Sequence, residues 1–459
     1  MPSPTVWKAY PPPRIATPAL VAEMDLLAGE QSIAVGPGYR AARLLIRLHG
    51  RPIGYADIAV ETPSTLTRDQ VMAALDPATI ERAIAHLADD LVAAGVSFAQ
   101  YPSDLPSLLA LAAEAGIACL RASSSDGPLV TVAICTHDRT QTLRATLSSL
   151  ARQTYRNFEV LVVDNVPSDH ATEDLIRVAY PRVRYVIEPR RGLNYARNRA
   201  IAEARGQIVA YIDDDAIADA SWVQALVAAF DTPEVMCVSG LVAPLRLDTP
   251  GQELFERYGY SKGFHRLAFT LAAPPPACPG FPYKGYLGTG CNSAFRREVF
   301  DEIGLFDPRL DMGTPVPGGG DHDMFARVIR SGHTLVYDPG AVVFHDHIAD
   351  LDTAIDRLGQ YQESFIAFMT KTILSDHEYR LALLAHMIYW YLRRTLRGFA
   401  AVVKKKDRPF RLVLSEAIGA WRGPISLYRA HRLIQARSHR SPSDAVLPTV
   451  APPTISRER

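Results

Sequence analysis

The sequence predicts an α/β protein organised around a mostly parallel, Rossmann-like sheet. Between residues 129 and 212, four short apolar segments alternate with helical stretches. That alternation is the pattern of right-handed βαβ units on a buried sheet. The polar residues of the same region gather just after the apolar segments, where such sheets bind ligands. Apolar residues make up 48% of the 459 and charged residues 21%. This composition supports a sizeable core and excludes global disorder and fibrous structure.

Residues 1–125 read as a small α+β unit. The opening MPSPTVWKAYPPPR is Pro-rich and lacks the apolar core of a secretory signal. ARLLIRLHGRPIGYADIAVE (42–61) predicts two strands around a Gly- and Pro-marked turn at 49–52. The stretch 76–94 sets Ile80, Ala83, Ile84, Leu87, Leu91 and Val92 on one side of a helix. No chemical motif stands in this unit, and RASSSDGP (121–128) reads as a linker.

Residues 126–350 carry the alternation. VTVAIC (130–135) predicts a strand, followed by THDR and a helix over 140–151. FEVLVVD (158–164), VRYVIE (183–188) and QIVAYI (207–212) predict three more strands, with helices over 171–179 and 194–204. Gly206 suits a helix stop. The segment 244–290, with APPPACPGFPYKGY, reads either as a lid or acceptor loop or as an ordered surface loop.

The 49 basic and 49 acidic residues balance, so net charge favours no nucleic-acid partner. Residues 380–440, however, hold fourteen basic and two acidic residues, +12 against −12 for the remainder. Residues 351–440 are therefore expected to form a helical basic region, followed by a disordered tail over 441–459. The segment 381–411 joins an apolar aromatic stretch to a cationic one. It is shorter than the ~20 apolar residues of a spanning helix. It suits an anionic membrane surface, or a helical pair packed on the protein with its arginines in water. Five cysteines without a CxxC pair fit a reducing compartment rather than a disulfide framework or zinc site. The expected location is cytoplasmic, including peripheral placement on the inner face of the membrane.

Several clusters are able to do chemistry. Asp213, Asp214 and Asp215 end a very apolar strand. Strand alternation sends Asp213 and Asp215 to one side, where two carboxylates suit Mg²⁺ or Mn²⁺; the alternative is a solvated turn. Three glycines lead into Asp321 and Asp323 at the start of a helix. Either acid serves as a helix cap or as a general base at the rim of a crevice. His345 and His347 follow a strand two apart, placed to complete a metal shell or simply satisfied polar residues. Arg190, Arg191, Arg197 and Arg199 open a helix, which favours phosphate or forms a solvated basic face.

Together VTVAICTHDR, FEVLVVDN, PRRGLNYARNRAIAEARGQIVAYIDDD, GTGCNSAFRREVFDEIGLFDPRL, GGGDHDMFARVIRSG and VVFHDH resemble the family 2 glycosyltransferases of the GT-A fold. These stretches run in family order from 129 to 347, nearly half the chain. The resemblance implies a nucleotide-sugar donor, a glycan or lipid-linked acceptor, Mg²⁺ or Mn²⁺, and inversion at the transferred sugar. It assigns Thr136, Asp138, Arg139, Asp164, Arg191, Asn194, Asp213 and Asp214 to the donor nucleotide, with Asp164 near the base and Asp213 toward the ribose. It places Asp215 and His345 at the metal and makes Asp321 the catalytic base. Gly290, Asn292, Asp323 and His347 fall on the acceptor side or in supporting positions. The family usually carries an acidic residue just before the base, where this chain has Gly320.

Two other functions compete. A sugar-nucleotide pyrophosphorylase wants a Gly-rich phosphate loop after the first strand, and THDRTQT supplies none. Gly320 favours a catalytically silent glycan- or partner-binding subunit. Retention of Asp138, Asp164, Asp213, Asp215 and Asp321 opposes it.

Overall fold

Apolar, β-branched runs decide the centre of the molecule. The computed structural model describes residues 13–29, 31–61, 63–97, 101–102, 104–117, 127–260, 262–271, 287–375, 380–404 and 408–440. The expected tail over 441–459, most of the linker and the middle of 244–290 lie outside these residues.

Before residue 118 the chain forms β1 (Ala19–Asp25), β2 (Ser32–Val35), β3 (Ala41–Leu48), β4 (Arg51–Ala59) and β5 (Ser64–Thr67), then α1 (Arg68–Ala73), α2 (Pro77–Ala93) and α3 (Leu105–Glu114). The expected hairpin is β3–β4, turning through His49 and Gly50 at positive φ. β1 adds to it in parallel beside β3. The expected helix is α2, which starts where the Asp76 carboxylate accepts from the Thr79 N–H at 2.6 Å.

The central sheet begins with β6 (Val130–Thr136), α4 (Thr140–Leu150), β7 (Phe158–Asn165), α5 (Ala171–Ala179), β8 (Arg184–Glu188), α6 (Leu193–Glu203) and β9 (Ile208–Ile212). These are the four strands and three helices expected from sequence, within a few residues. They continue into β10 (Ala216–Ala218), α7 (Trp222–Ala229), β11 (Val235–Pro244), α8 (Pro250–Phe255) and a π-helical turn over Glu256–Tyr260. β12 (Leu267–Phe269), β13 (Asn292–Arg296), α9 (Val299–Ile303), α10 (Gly320–Arg330) and β14 (Thr334–His345) complete it. The strand order is β10-β14-β11-β13-β9-β6-β7-β8, with β12 on β14. β6 lies parallel to both β7 and β9, whereas β13 is antiparallel to β9 and β11. Alternate residues feed two cores: Val130, Val132 and Ile134 point into one, Ala133, Leu161 and Val163 into the other.

The chain ends in α11 (Leu351–Ser375), α12 (Arg380–Val403) and α13 (Phe410–Arg440). α11 and α13 touch backbone to backbone: a Cβ on Gly419 would lie 2.2 Å from the Gly359 carbonyl oxygen. Lys371 ties α11 to α10 and to the loop after α9, its Nζ 2.5 Å from Asp323 and 3.1 Å from Asp307. α12 buries only Leu383 and Gly398 among its described residues. No helix among the described residues is long and apolar enough to cross a membrane. The β3–β4 face lies against β11 and β14 through Leu45, Tyr55, Leu241, Ala243 and Val342. Ion pairs Arg47–Asp219 (2.8 Å) and Arg51–Asp338 (3.0 Å) fix its orientation.

Candidate active site

The ends of β6, β7, β9 and β14 converge with the start of α10, because parallel strands present their carboxyl ends on one sheet edge. Asp213, Asp215 and His345 offer three ligand atoms within 4.8 Å of one another. His345 Nε2 stands 3.4 Å from Asp215 Oδ1. That oxygen is buried without a hydrogen-bond partner, which the chain leaves unsatisfied only at a cost. Burial pushes Asp213 up to about 7, with the Asp215 charge adding and Arg197 opposing. Burial also pushes His345 down to about 4, against the pull of Asp215. Two carboxylate oxygens and a neutral imidazole facing an unsatisfied gap fit a hard divalent cation. Asp213 stands inside this cluster, beside Asp215 and His345.

Asp214, in the turn after β9, is not among the three clustered ligand residues. The Thr136 hydroxyl donates to its Oδ2 at 2.6 Å, and Arg139 Nη1 donates to its Oδ1 at 2.8 Å. Thr136 and Asp214 are both buried and spend their polar atoms on each other. Arg139 also reaches Asp215 Oδ2 at 2.9 Å, so it braces the cation cluster.

Asp164 is buried, with its Oδ2 accepting from the Tyr185 hydroxyl at 3.0 Å and its Oδ1 unpartnered. Burial raises its pKa, opposed by the Tyr185 bond. Asp138 occupies the left-handed region at φ 54° and accepts from Ser168 N at 2.9 Å and Oγ at 2.5 Å. Those bonds hold it below the usual carboxylate range.

The arginine cluster divides. Arg190 pairs with Glu188 at 2.7 Å, and Arg199 with Glu203 at 2.8 Å. Arg191 is exposed. Arg197 alone turns inward, buried between Asp213 and Asp321. Asn194 is not a donor contact: its Nδ2 donates to the Asp307 and Leu310 carbonyl oxygens, each at 2.8 Å. Asn292 is likewise consumed, accepting from Trp222 Nε1 at 2.9 Å and donating to the Leu241 and Ala341 carbonyl oxygens. It pins the centre of the sheet and faces no acceptor.

Asp321 sits in the first turn of α10. Neither it nor Asp323 caps the helix; the cap is Gly319, at φ 101°. Asp321 Oδ2 accepts from the Gly290 N–H at 2.9 Å, and Oδ1 accepts from the His322 N–H at 2.9 Å. Burial opposes its ionisation, but His322 and Arg197 outweigh that and hold it well below the usual carboxylate range. Asp323 is buried against Arg327 and Lys371, so it anchors helices and is no candidate base. His347 faces Glu256 at 3.0 Å, not the cleft. Gly320 has a steric cause: a Cβ there would lie 2.3 Å from Asn194 Nδ2.

Lys262 carries no local signature, standing in the irregular segment after the π-helical turn. Burial pushes its ammonium down to about 8, against the Asp321 charge. Asp311, under the start of α6, is pushed up to about 8 by burial.

The pattern of the glycosyl transferase family 2 matches residues 131–304. Glycosyltransferase AglE of Haloferax volcanii is 31% identical over 225 residues, 48% of this chain and 67% of AglE. The chain belongs to the family 2 glycosyltransferases, and its mixed, mostly parallel sheet is of the GT-A type. The glucosyl-dolichyl phosphate glucuronosyltransferase of the same organism is 27% identical over 190 residues, covering 39% of this chain. The chain spans only 56% of that enzyme's length, and 25% and 65% of two further curated relatives. A mannosyltransferase of Pyrobaculum calidifontis, solved with GDP-Man and Mn2+, aligns with a TM-score of 0.38 at 16% identity, covering 79% of this chain and 88% of its own.

Proposed function

We propose that this chain is a divalent-cation-dependent, inverting glycosyltransferase that moves a sugar from a nucleoside-diphosphate donor to an acceptor hydroxyl at a membrane surface. The observation that carries the reading is the cluster of Asp213, Asp215 and His345, with buried Arg197 close to both Asp213 and Asp321. The acceptor oxygen attacks the anomeric carbon as the bond to the β-phosphate oxygen breaks on the opposite face. Asp321, ionised, takes the hydroxyl proton. Arg197 lies beside both acids and supplies fixed positive charge where the diphosphate and the base meet. A divalent cation, when bound, offsets the charge growing on the departing phosphate. Asp164 and Asp138 are placed for the nucleoside, at the ends of β7 and β6. Asn194 fills the space beside Gly320, which gives the missing side chain a steric cause and weakens the silent-subunit reading.

The acceptor proposed is lipid-linked, as the name of the H. volcanii glucuronosyltransferase states for that enzyme. An anionic bilayer is the partner proposed for α12 and α13. Leu381 (79% exposed), Leu396 (67%) and Trp421 (74%) project from these helices. Exposed Arg393, Arg397, Arg422 and Arg429 stand among them. Exposed apolar side chains with basic residues alongside suit headgroups and the first acyl carbons. They extend the membrane segment expected at 381–411 onto α13.

The test is a panel of UDP-, dTDP- and GDP-sugars, read as cation-dependent release of nucleoside diphosphate. Asp321→Asn is expected to lower transfer at least about 100-fold while leaving nucleotide affinity within a few-fold. Full transfer by that variant removes Asp321 from the base role.

A further inference from the structure

We infer that Arg43 and Glu256 act through His347 as positioning residues for His345, so that the N-terminal β3 completes the support of the cation site. This rests on the cation reading above.

A chain of buried polar contacts leads out of the crevice. His345 Nδ1 and His347 Nδ1 are 3.2 Å apart. His347 Nε2 lies 3.0 Å from Glu256 Oε2. Glu256 Oε1 lies 3.7 Å from Arg43 Nη1. Arg43 is locked to Asp57 by two bonds, Nε to Oδ1 at 2.8 Å and Nη2 to Oδ2 at 2.7 Å. His347, Glu256 and Arg43 are all fully or nearly fully buried.

Donor and acceptor roles follow from one end. A carboxylate only accepts, so His347 Nε2 carries the proton that it shares with Glu256. His347 Nδ1 then holds a lone pair, and the proton between the two rings belongs to His345 Nδ1. The lone pair of His345 is thereby left on Nε2, the nitrogen that faces Asp215 Oδ1 at 3.4 Å. Two lone pairs at that separation repel unless a cation lies between them. A ligating imidazole held through its other nitrogen is the usual way in which a protein aims such a ligand. Glu256 is buried and needs a countercharge. Arg43 supplies it from β3, a strand outside the family's matched residues 131–304. The π-helical turn places Glu256, and Phe255 and Tyr260 wall the histidines with rings 4.9–5.7 Å away.

The test measures Mn²⁺ affinity of the full-length chain by the loss of the free-ion EPR signal, alongside thermal unfolding. His347→Phe and His347→Ala remove the acceptor for His345 and are expected to weaken Mn²⁺ binding roughly 10- to 100-fold. His347→Asn keeps an oxygen near the Nδ1 position and is expected to recover most of that loss, which a purely structural role for the ring would not produce. Arg43→Gln, distant from the cation, is expected to weaken binding several-fold. Folded His347→Ala or Arg43→Gln chains that bind Mn²⁺ within twofold of the unmutated protein overturn the inference alone. An unmutated chain that binds no Mn²⁺ overturns the cation site and this inference together.

Discussion

Gly320→Ala tests whether Asn194 sets the residue before the base. The added Cβ would meet Asn194 Nδ2 at 2.3 Å and Oδ1 at 2.6 Å. Asn194 is buried and cannot withdraw without baring the Asp307 and Leu310 carbonyl oxygens, to which it donates at 2.8 Å. Each buried polar group left bare costs about 1–3 kcal/mol, so full displacement costs about 2–6 kcal/mol. Replacing glycine in a helix returns at most about 1 kcal/mol. The expected net loss is about 1–5 kcal/mol, read as a lower urea midpoint with an unchanged slope. Asp321 follows directly in the same turn, so transfer should fall as its bond to the Gly290 N–H is disturbed. In the double variant with Asn194→Ala the losses should fall short of additivity, because the two residues compete for one space. A Gly320→Ala chain within about 0.5 kcal/mol of the unmutated protein, with additive double-variant losses, refutes the steric account.

Two further outcomes are expected. Burial pushes Asp311 up to about 8 in the folded chain, from an ordinary 3.8. Between those values the native state binds the proton that the unfolded state has lost, so this contribution to stability declines as pH rises from about 4 to 8. Asp311→Asn should flatten that decline in unfolding measurements across the same range, and an unchanged slope would count against it. Leu396→Glu with Trp421→Glu should abolish co-sedimentation with phosphatidylglycerol vesicles while transfer to a water-soluble acceptor persists, and added salt should weaken the unmutated chain's binding. Equal sedimentation of variant and parent removes α12 and α13 from membrane contact.

The first half of the central sheet was legible because its signals are local. β6, β7, β8 and β9 are short apolar runs with helices between them, and each announces itself in five to eight residues. β10 to β14 do not. β13 becomes a central strand only by pairing antiparallel with both β9 and β11, and nothing within NSAFR reports those partners. The same limit governs the site. The triplet Asp213, Asp214 and Asp215 and the pair His345 and His347 were readable as clusters. Asn194, Asn292 and Asp323 stand in motif positions that suggest ligand contact, yet their polar atoms are spent on carbonyl groups, Trp222, Arg327 and Lys371.

Local order along the chain determined the α/β class, the sheet edge at which polar residues gather and the acids proposed to hold a cation or take a proton. Only the tertiary structure decided which of those groups remain free. Arg197 turned inward while its neighbours found glutamates, and Arg43 reached Glu256 across more than two hundred residues. The reason is that a side chain's chemistry depends on which of its hydrogen-bonding atoms are already satisfied, and those partners come from segments that the local sequence does not name.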